Sequence, residues 1–236
     1  MRCRRAVLIA GAAVCVAASV RAQYMEPREY ESADLRVASA GVFWRDFSPR
    51  GSNTAPDSVA IRYNRLMPFI GFRQGLFDVS FGYTTYSQRG VSRAALFLGT
   101  TVSQELVLTG SRSGALLLPL LLSADFTKAE AGGPERESFN IASVGLGTGL
   151  KYRVVSRAVD ASISAAGIAH YAIEGLSTGT GFSGVVALDA SALFRTIGIG
   201  EGLALGYRFR LQTWSMSNPK FDYRAVSHGP YLGVAF

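Results

Sequence analysis

The sequence contains few of the side chains from which catalytic, redox and metal sites are usually built. Only two cysteines and two histidines occur among its 236 residues. Cys3 and Cys15 both fall within the first 22 residues, so the remainder of the chain can form neither a disulfide nor a cysteine-ligated metal site. Beyond these residues no apolar run approaches the roughly 18 residues that a transmembrane helix needs, which excludes a helical membrane protein.

The first 22 residues themselves have the organisation of an export signal. Three arginines among the first five residues precede an apolar stretch from 6 to 18, and Val20-Arg21-Ala22 provides a small-residue cleavage site. We therefore predict a signal peptide at 1–22, a polar periplasmic lead-in at 23–34 and a single domain at 35–236. Loss of the signal removes four arginines and lowers the formal net charge from +7 to +3, which leaves little basis for nucleic-acid binding.

Alternation of apolar and polar side chains, the period of a β-strand, recurs along the rest of the chain. Glycine and aromatic residues are frequent in these stretches, which is typical of twisted strands rather than helices. We predict ten strands, at 35–47, 59–72, 76–87, 92–108, 114–127, 138–154, 158–173, 181–195, 202–215 and 225–236. The even number indicates an all-β fold, a closed antiparallel up-and-down transmembrane β-barrel of about ten strands, with eight as the alternative.

The connections between the predicted strands alternate in length. Residues 73–75, 109–113, 155–157 and 196–201 are short connections, whereas 48–58, 128–137, 174–180 and 216–224 are longer and polar. With both termini in the periplasm, the short turns are periplasmic and the long loops extracellular, which is the usual asymmetry of transmembrane barrels. The connection at 88–91 is shorter than an extracellular loop is expected to be.

The ninth predicted strand indicates which face would meet lipid. Leu205, Tyr207 and Phe209 share one face, and Arg208 and Arg210 alternate with them on the other. An ordinary half-buried sheet also alternates in this way. The export signal and the loop asymmetry favour the membrane reading, in which the apolar face meets lipid and the polar face lines the lumen.

Two regions leave the strand phase open. Arg45 and Arg65 stand in the first two predicted strands at positions that fit either face. The run from 115 to 122 is apolar on both faces and contains Pro119, which cannot donate to a strand ladder. Either Leu117 and Leu121 pack inside the lumen, or this piece is not a plain strand.

The chain ends in an alternating strand whose last residue is aromatic. Leu232, Val234 and Phe236 share one face, and Tyr231 lies on the other. Together with the export signal and the ten alternating segments, this ending makes the region 35–236 resemble the small bacterial outer-membrane β-barrel family. The resemblance implies an outer-membrane location, contact with outer-membrane lipid, and insertion by the barrel-assembly machinery through an assembly signal formed by Tyr231, Leu232, Val234 and Phe236.

Charged side chains on the predicted lumen faces form the main candidate site. They are Asp78, Glu105, Asp125, Lys151, Arg153, Asp160, Asp189, Arg195, Arg208 and Arg210. Hairpin pairing places Arg153 opposite Asp160, and Asp189 opposite Arg208 or Arg210 depending on the register. Because a buried charge without a partner is costly, we predict an ion-pair network that fills a narrow lumen. A charged lining that selects a small solute is the alternative.

The sequence predicts no catalytic, cofactor-binding or metal-binding residue. His170 falls on the lumen face of the seventh strand and His228 near the outer end of the last strand, and neither has a catalytic or metal-ligating partner at diagnostic spacing. Omptin-type proteases resemble the chain in strand number, but their paired aspartates and aspartate-x-histidine element have no match in it. We therefore predict a protein that is not an enzyme, with His170 as a structural lumen residue and His228 as an interface or loop residue.

The role of such a barrel remains open among several classes. We favour a structural or surface-interaction barrel that presents 48–57, 128–137 and 215–223 to an extracellular or cell-wall partner. A narrow channel or transporter for small solutes is the first alternative, because ten strands enclose far less space than the roughly sixteen of a general porin. An outer-membrane enzyme acting on lipid or peptide and a soluble periplasmic ligand-binding barrel are the others, and the oligomeric state is undetermined.

Deletion of Phe236 should reduce insertion into the outer membrane, because the terminal aromatic residue is the part of the ending that resembles the assembly signal. The measurement is the abundance of folded, heat-modifiable protein in outer-membrane fractions. Phe236→Tyr, which keeps an aromatic ring, is the control. Wild-type abundance of folded barrel after the deletion would contradict the assignment.

Overall fold

Ten antiparallel strands close into a barrel. The computed structural model describes residues 35–55, 60–111, 113–131, 138–174, 179–195, 197 and 200–236. The strands are β1 (Arg36–Pro49), β2 (Tyr63–Gln74), β3 (Phe77–Gln88), β4 (Val91–Gly110), β5 (Gly114–Ala129), β6 (Phe139–Val155), β7 (Val159–Glu174), β8 (Thr180–Phe194), β9 (Gly202–Met216) and β10 (Tyr223–Ala235). Each strand pairs with the next along the chain, and β1 pairs with β10 to complete the closure. Within the described residues, no helix has the length and apolar character needed to cross a membrane.

The prediction of a closed ten-stranded barrel is confirmed, and the eight-stranded alternative is wrong. Predicted strand ends fall within two residues of the observed ends except at the start of β2, which begins at Tyr63 rather than at 59. The reason is that the backbone just before β2 bonds to side chains. The Ile61 N–H donates to the Tyr223 hydroxyl (3.1 Å), and the Gln88 side chain donates to the Ala60 carbonyl (3.0 Å). The predicted signal peptide and lead-in lie outside the described residues.

The two ends of the barrel differ in their connections. One end, here called the short-turn end, carries Gly75–Leu76 and the connections at 111–113, 156–158 and 195–201, and it also holds both ends of the described chain. The opposite, long-loop end carries the connections at 50–62, 130–138, 175–179 and 217–222. The two-residue connection there, Arg89-Gly90, has positive φ at both residues (56° and 75°), as in the tight type I′ hairpin turn.

The structure resolves the strand phases that the sequence leaves open. Arg45 faces the lumen and is 1% exposed. The β1–β2 register sets Arg65 directly opposite Arg45, so both belong to the inward face, although Arg65 is exposed. The leucine-rich run is part of the continuous strand β5, with Leu117 buried inside, and the Pro119 carbonyl accepts a hydrogen bond from the Thr148 hydroxyl (2.9 Å).

The ladder between β2 and β3 covers only the half of these strands next to the short-turn end. Backbone pairing runs from Gln74↔Phe77 to Phe69↔Gly82 and stops at Pro68, which has no N–H to donate. Beyond that point the Thr84 hydroxyl donates to the Leu66 carbonyl (2.8 Å). A side chain therefore bridges the strands where a backbone ladder would be expected.

A glycine in β9 makes room for a lumen aromatic. Tyr231 is directly opposite Gly206 in the β9–β10 pair, and its ring lies over the glycine. A Cβ at Gly206 would be 2.2 Å from Cζ of Tyr231, well inside van der Waals contact. The same ring is 4.9 Å from the guanidinium carbon of Arg208, a cation–π contact.

Substitution Gly206→Leu should therefore displace Tyr231 and destabilise the barrel by about 2 kcal/mol, the typical cost of overpacking a filled interior. The free energy of unfolding in urea, measured with refolded protein, tests this expectation. Gly167→Leu is the control, since a Cβ at Gly167 has no neighbour within 4 Å. Equal losses in the two variants would argue against the contact with Tyr231.

Candidate functional site in the barrel lumen

Aromatic side chains fill the lumen toward the long-loop end. This aromatic plug consists of Phe47, Tyr63, Tyr86, Phe139, Trp214 and Tyr223. The rings of Phe47 and Tyr223 stack with centroids 4.9 Å apart, and Phe139 meets the rings of Phe47 and Trp214 edge to face at 5.1 Å. Phe47, Phe139 and Trp214 are fully buried. The plug packs like a protein core at the position where an open pore would hold water.

The loops of the long-loop end are tied together above the plug. The Asp222 carboxylate accepts hydrogen bonds from the Met216 N–H (2.8 Å) and the Ser52 hydroxyl (2.6 Å). The Asn53 side chain donates to the Lys220 carbonyl (2.9 Å), and Arg50 donates to the Ser215 hydroxyl (2.6 Å). The connection between β1 and β2 is thus fastened to the connection between β9 and β10.

Acidic groups near the rim are also held by backbone donors. The Glu130 carboxylate, just after β5, accepts a hydrogen bond from the Ala94 N–H (3.1 Å) and lies 3.3 Å from Nζ of Lys128. The backbone hydrogen bond holds the pKa of Glu130 below its usual range, and Lys128 adds to the effect. Glu130 therefore remains negatively charged at the rim at neutral pH.

Ion pairs occupy the lumen toward the short-turn end. Arg208 Nε donates to Asp189 Oδ2 (3.0 Å), and Arg208 Nη2 donates to Asp78 Oδ2 (2.9 Å). Asp78 also accepts from Arg73 Nε (3.0 Å). Arg73, Asp78, Arg208 and Asp189 form a chain that crosses the lumen from β2 to β8, here called the crossing network.

Two further ion-pair groups lie on the same inner surface. Lys151 Nζ is 2.7 Å from Glu105 Oε1. Arg153 Nε donates to Asp160 Oδ1 (2.9 Å) across the β6–β7 turn, and Arg195 Nη2 lies 3.5 Å from Asp160 Oδ2. The Arg195 side chain is 40% exposed, because it follows β8 at the short-turn end.

Arg210 pairs with Asp125 and not with Asp189, the acid that the sequence analysis allowed as its partner. The β8–β9 register sets Asp189 opposite Arg208, and Arg210 donates instead to Asp125 Oδ2 on the facing wall. His170 Nε2 lies 3.3 Å from the same carboxylate oxygen, and both His170 and Asp125 are buried. The middle of the lumen therefore holds an Arg210–Asp125–His170 group.

The structure brings together most of the charges that the sequence singled out, and it adds two arginines. Arg73 joins the crossing network from β2, opposite Asp78 in a hairpin, and an unambiguous phase for β2 would have revealed it. Arg45 lies beside the aromatic plug. His228 is on the outward face of β10, where its Nδ1 is 2.7 Å from the Tyr207 hydroxyl. Of the assembly-signal residues, Leu232, Val234 and Phe236 face outward and Tyr231 faces the lumen.

The buried hydroxyl groups around His170 do not form a nucleophile–base pair. Ser143 is directly opposite Asp125, and Ser123 and Thr127 flank Asp125 on β5, yet the hydroxyls of all three make no hydrogen bond. Serine catalysis requires a hydrogen bond from the hydroxyl to its base. Among the described residues there is also no cluster of three or more metal-ligating side chains.

Comparisons with known proteins find only distant similarity to solved structures. No protein-family model matches the chain, and no curated protein matches it. The chain is similar to the outer membrane protease OmpT from Escherichia coli, with 7% identity, 86% of this chain and 96% of that chain covered, and a TM-score of 0.33. It is also similar to a Pseudomonas aeruginosa FadL homologue (7% identity, 87% and 90% covered, TM-score 0.29) and to the Pseudomonas putida toluene transporter TodX (6%, 87% and 89%, 0.27).

The crossing network predicts unequal effects of its members on stability. Arg208→Gln leaves Asp189 with no cation within ion-pair distance among the described residues, whereas Asp189→Asn leaves Arg208 paired with Asp78. We expect Arg208→Gln to lower the free energy of unfolding by about 2 kcal/mol, and Asp189→Asn by less than half of that. Urea unfolding midpoints measure both.

The double variant Asp189→Asn/Arg208→Gln should recover much of the loss, because it removes the stranded carboxylate. Arg195→Gln is the control, since Asp160 keeps Arg153 as its partner. Equal losses in the two single variants, or no recovery in the double variant, would mean that the network does not act as a coupled unit.

Proposed function

We propose that the protein is an integral outer-membrane β-barrel with a closed lumen and a structural or surface-interaction role. The observation that carries the proposal is the combination of an apolar outer surface with a packed interior. Large apolar side chains project outward all along the wall, and Phe182, Leu146, Ile70 and Ile163 are 71%, 70%, 63% and 61% exposed. A water-soluble protein rarely exposes so continuous an apolar surface, whereas the outer belt of a transmembrane barrel must be apolar.

The closed lumen supports a role other than bulk transport. The aromatic plug fills the half of the barrel next to the long-loop end, and barrels of about this strand number are narrow enough for side chains to fill. The fastened loops around Asn53 and Asp222 give the long-loop end a defined surface, which suits contact with a partner outside the cell.

The alternative function, a narrow channel for small solutes, is favoured by one observation. The side chains of Asp78, Asp189 and Arg208 in the crossing network are 26%, 22% and 17% exposed, so the lumen next to the short-turn end admits some water. Such a lining would select small ions if the plug moved aside.

Planar-bilayer recording distinguishes these functions. If side chains block the lumen, as we propose, the wild type should give no stable single-channel current. Trp214→Ala, which removes a fully buried ring from the plug, should produce current steps if it folds. Val186→Ala, on the outward face, is the control with no change expected. Stable, ion-selective steps in the wild type would support the channel and contradict the closed barrel.

The membrane placement has a separate test. Leu146→Arg puts a charge midway along β6 on the outer surface and should destabilise the folded barrel in lipid by about 2–4 kcal/mol. Gly51→Arg, in the β1–β2 connection with open space around it, should change stability little. Similar unfolding free energies for the two variants in lipid vesicles would contradict the placement.

A further inference from the structure

Arg45 carries a buried positive charge that no carboxylate balances. The residue is 1% exposed. Its Nε donates to the Tyr63 hydroxyl and its Nη1 to Ser227 Oγ, both at 3.2 Å, while its Nη2 makes no hydrogen bond. Both partners are neutral, and an arginine side chain cannot shed its proton in a protein. The charge of Arg45 is therefore solvated by two hydroxyl groups and is not neutralised.

A second arginine, the partly buried Arg210, lies in the same row of the barrel wall. Ser227 on β10 is directly opposite Arg45 on β1 and directly opposite Arg210 on β9, so the serine lies between the two arginines on the inward face. Both guanidinium carbons lie over one ring, that of Phe97, at 5.1 and 5.4 Å from its centroid. Like charges gathered on one face in this way repel each other.

Only one of these two arginines, Arg210, has a carboxylate as its partner. Asp125 pairs with Arg210, and no carboxylate among the described residues lies within 4.0 Å of the Arg45 guanidinium. Two guanidinium groups, Arg45 and Arg210, thus share a single carboxylate, that of Asp125, so these three side chains carry a net charge of +1. Arg195 also shares its acid with another arginine, but it is 40% exposed and water can solvate it.

We propose that the barrel binds one small inorganic anion, of the size of a halide, beside Ser227 and between Arg45 and Arg210. A buried charge without a counter-charge is strongly unfavourable, and a bound anion supplies that counter-charge together with an acceptor for the free Nη2 of Arg45. The surrounding Phe43, Phe47 and Met67 are nearly fully buried, which favours an anion of one or a few atoms. The site is independent of the function proposed above, because a closed and a conducting barrel would both need it.

Bromide is a suitable probe, because its anomalous scattering identifies it directly. Wild-type barrel folded and crystallised in sodium bromide should show an anomalous peak within hydrogen-bond distance of the Arg45 guanidinium. Arg45→Met should lack that peak. A wild-type map with only water, or with no density, at Nη2 of Arg45 would overturn the proposal.

Stability in solution provides a second test that does not depend on Arg45→Met folding. At constant ionic strength, replacing a bulky organic anion with chloride should lower the unfolding equilibrium constant of the wild type, by about tenfold once chloride exceeds its dissociation constant tenfold. Ser227→Asp places a carboxylate next to Arg45 Nη1 and should abolish this dependence while the barrel stays folded. Arg195→Gln should keep the wild-type dependence.

Equal chloride dependence in the wild type and Ser227→Asp would show that any anion effect arises elsewhere and would overturn the site. Bilayer conductance of the wild type, by contrast, reports on whether the lumen is closed. The anion site and the closed-barrel function can thus fail separately.

Discussion

Closure of ten strands into a narrow cylinder is the constraint on which the rest of the structure depends. Once the wall is closed, every inward side chain must fit against residues from the opposite wall as well as against its strand neighbours. Asp78 and Arg208 are 130 residues apart in the chain and hydrogen-bond across the lumen. Arg210 and Asp125 meet in the same way. The inner surface therefore behaves as one core that all ten strands share.

Inward side chains of this core are stabilised in two different ways along the barrel axis. Toward the short-turn end, partly hydrated ion pairs balance one another, and toward the long-loop end aromatic rings exclude water. Arg45 lies at the boundary, where the aromatic rings remove the solvent but the acids of the other half do not reach. The lumen thus changes from ion pairs to apolar packing along its axis. Arg45 lies where the two meet, and its only hydrogen-bond partners are neutral hydroxyl groups.

The sequence predicts the strands and their faces well because these depend on local alternation, which is independent of how the barrel closes. It also identifies Arg153 and Asp160 as neighbours, since a short turn fixes the register of that hairpin. It cannot choose between Arg208 and Arg210 for Asp189, because that choice depends on a two-residue difference in register, and the connection between β8 and β9 is longer than the β6–β7 turn and does not fix the register. Contacts across the lumen depend on strand tilt and stagger, which alternation does not encode, and the assembly signal, the leader and the partners remain predictions.

The short ladder between β2 and β3 has a consequence for how the wall is held together. Closed barrels differ from open sheets in having no edge strands, but from Tyr63 to Pro68 the strand β2 has a backbone partner on only one side. This part of the wall is an edge enclosed within a cylinder, held by the Thr84 hydroxyl and by the stacked rings of Tyr63 and Tyr86. The barrel closes elsewhere, between β1 and β10, so this seam lies inside a single hairpin, where side chains and not a backbone ladder hold neighbouring strands together.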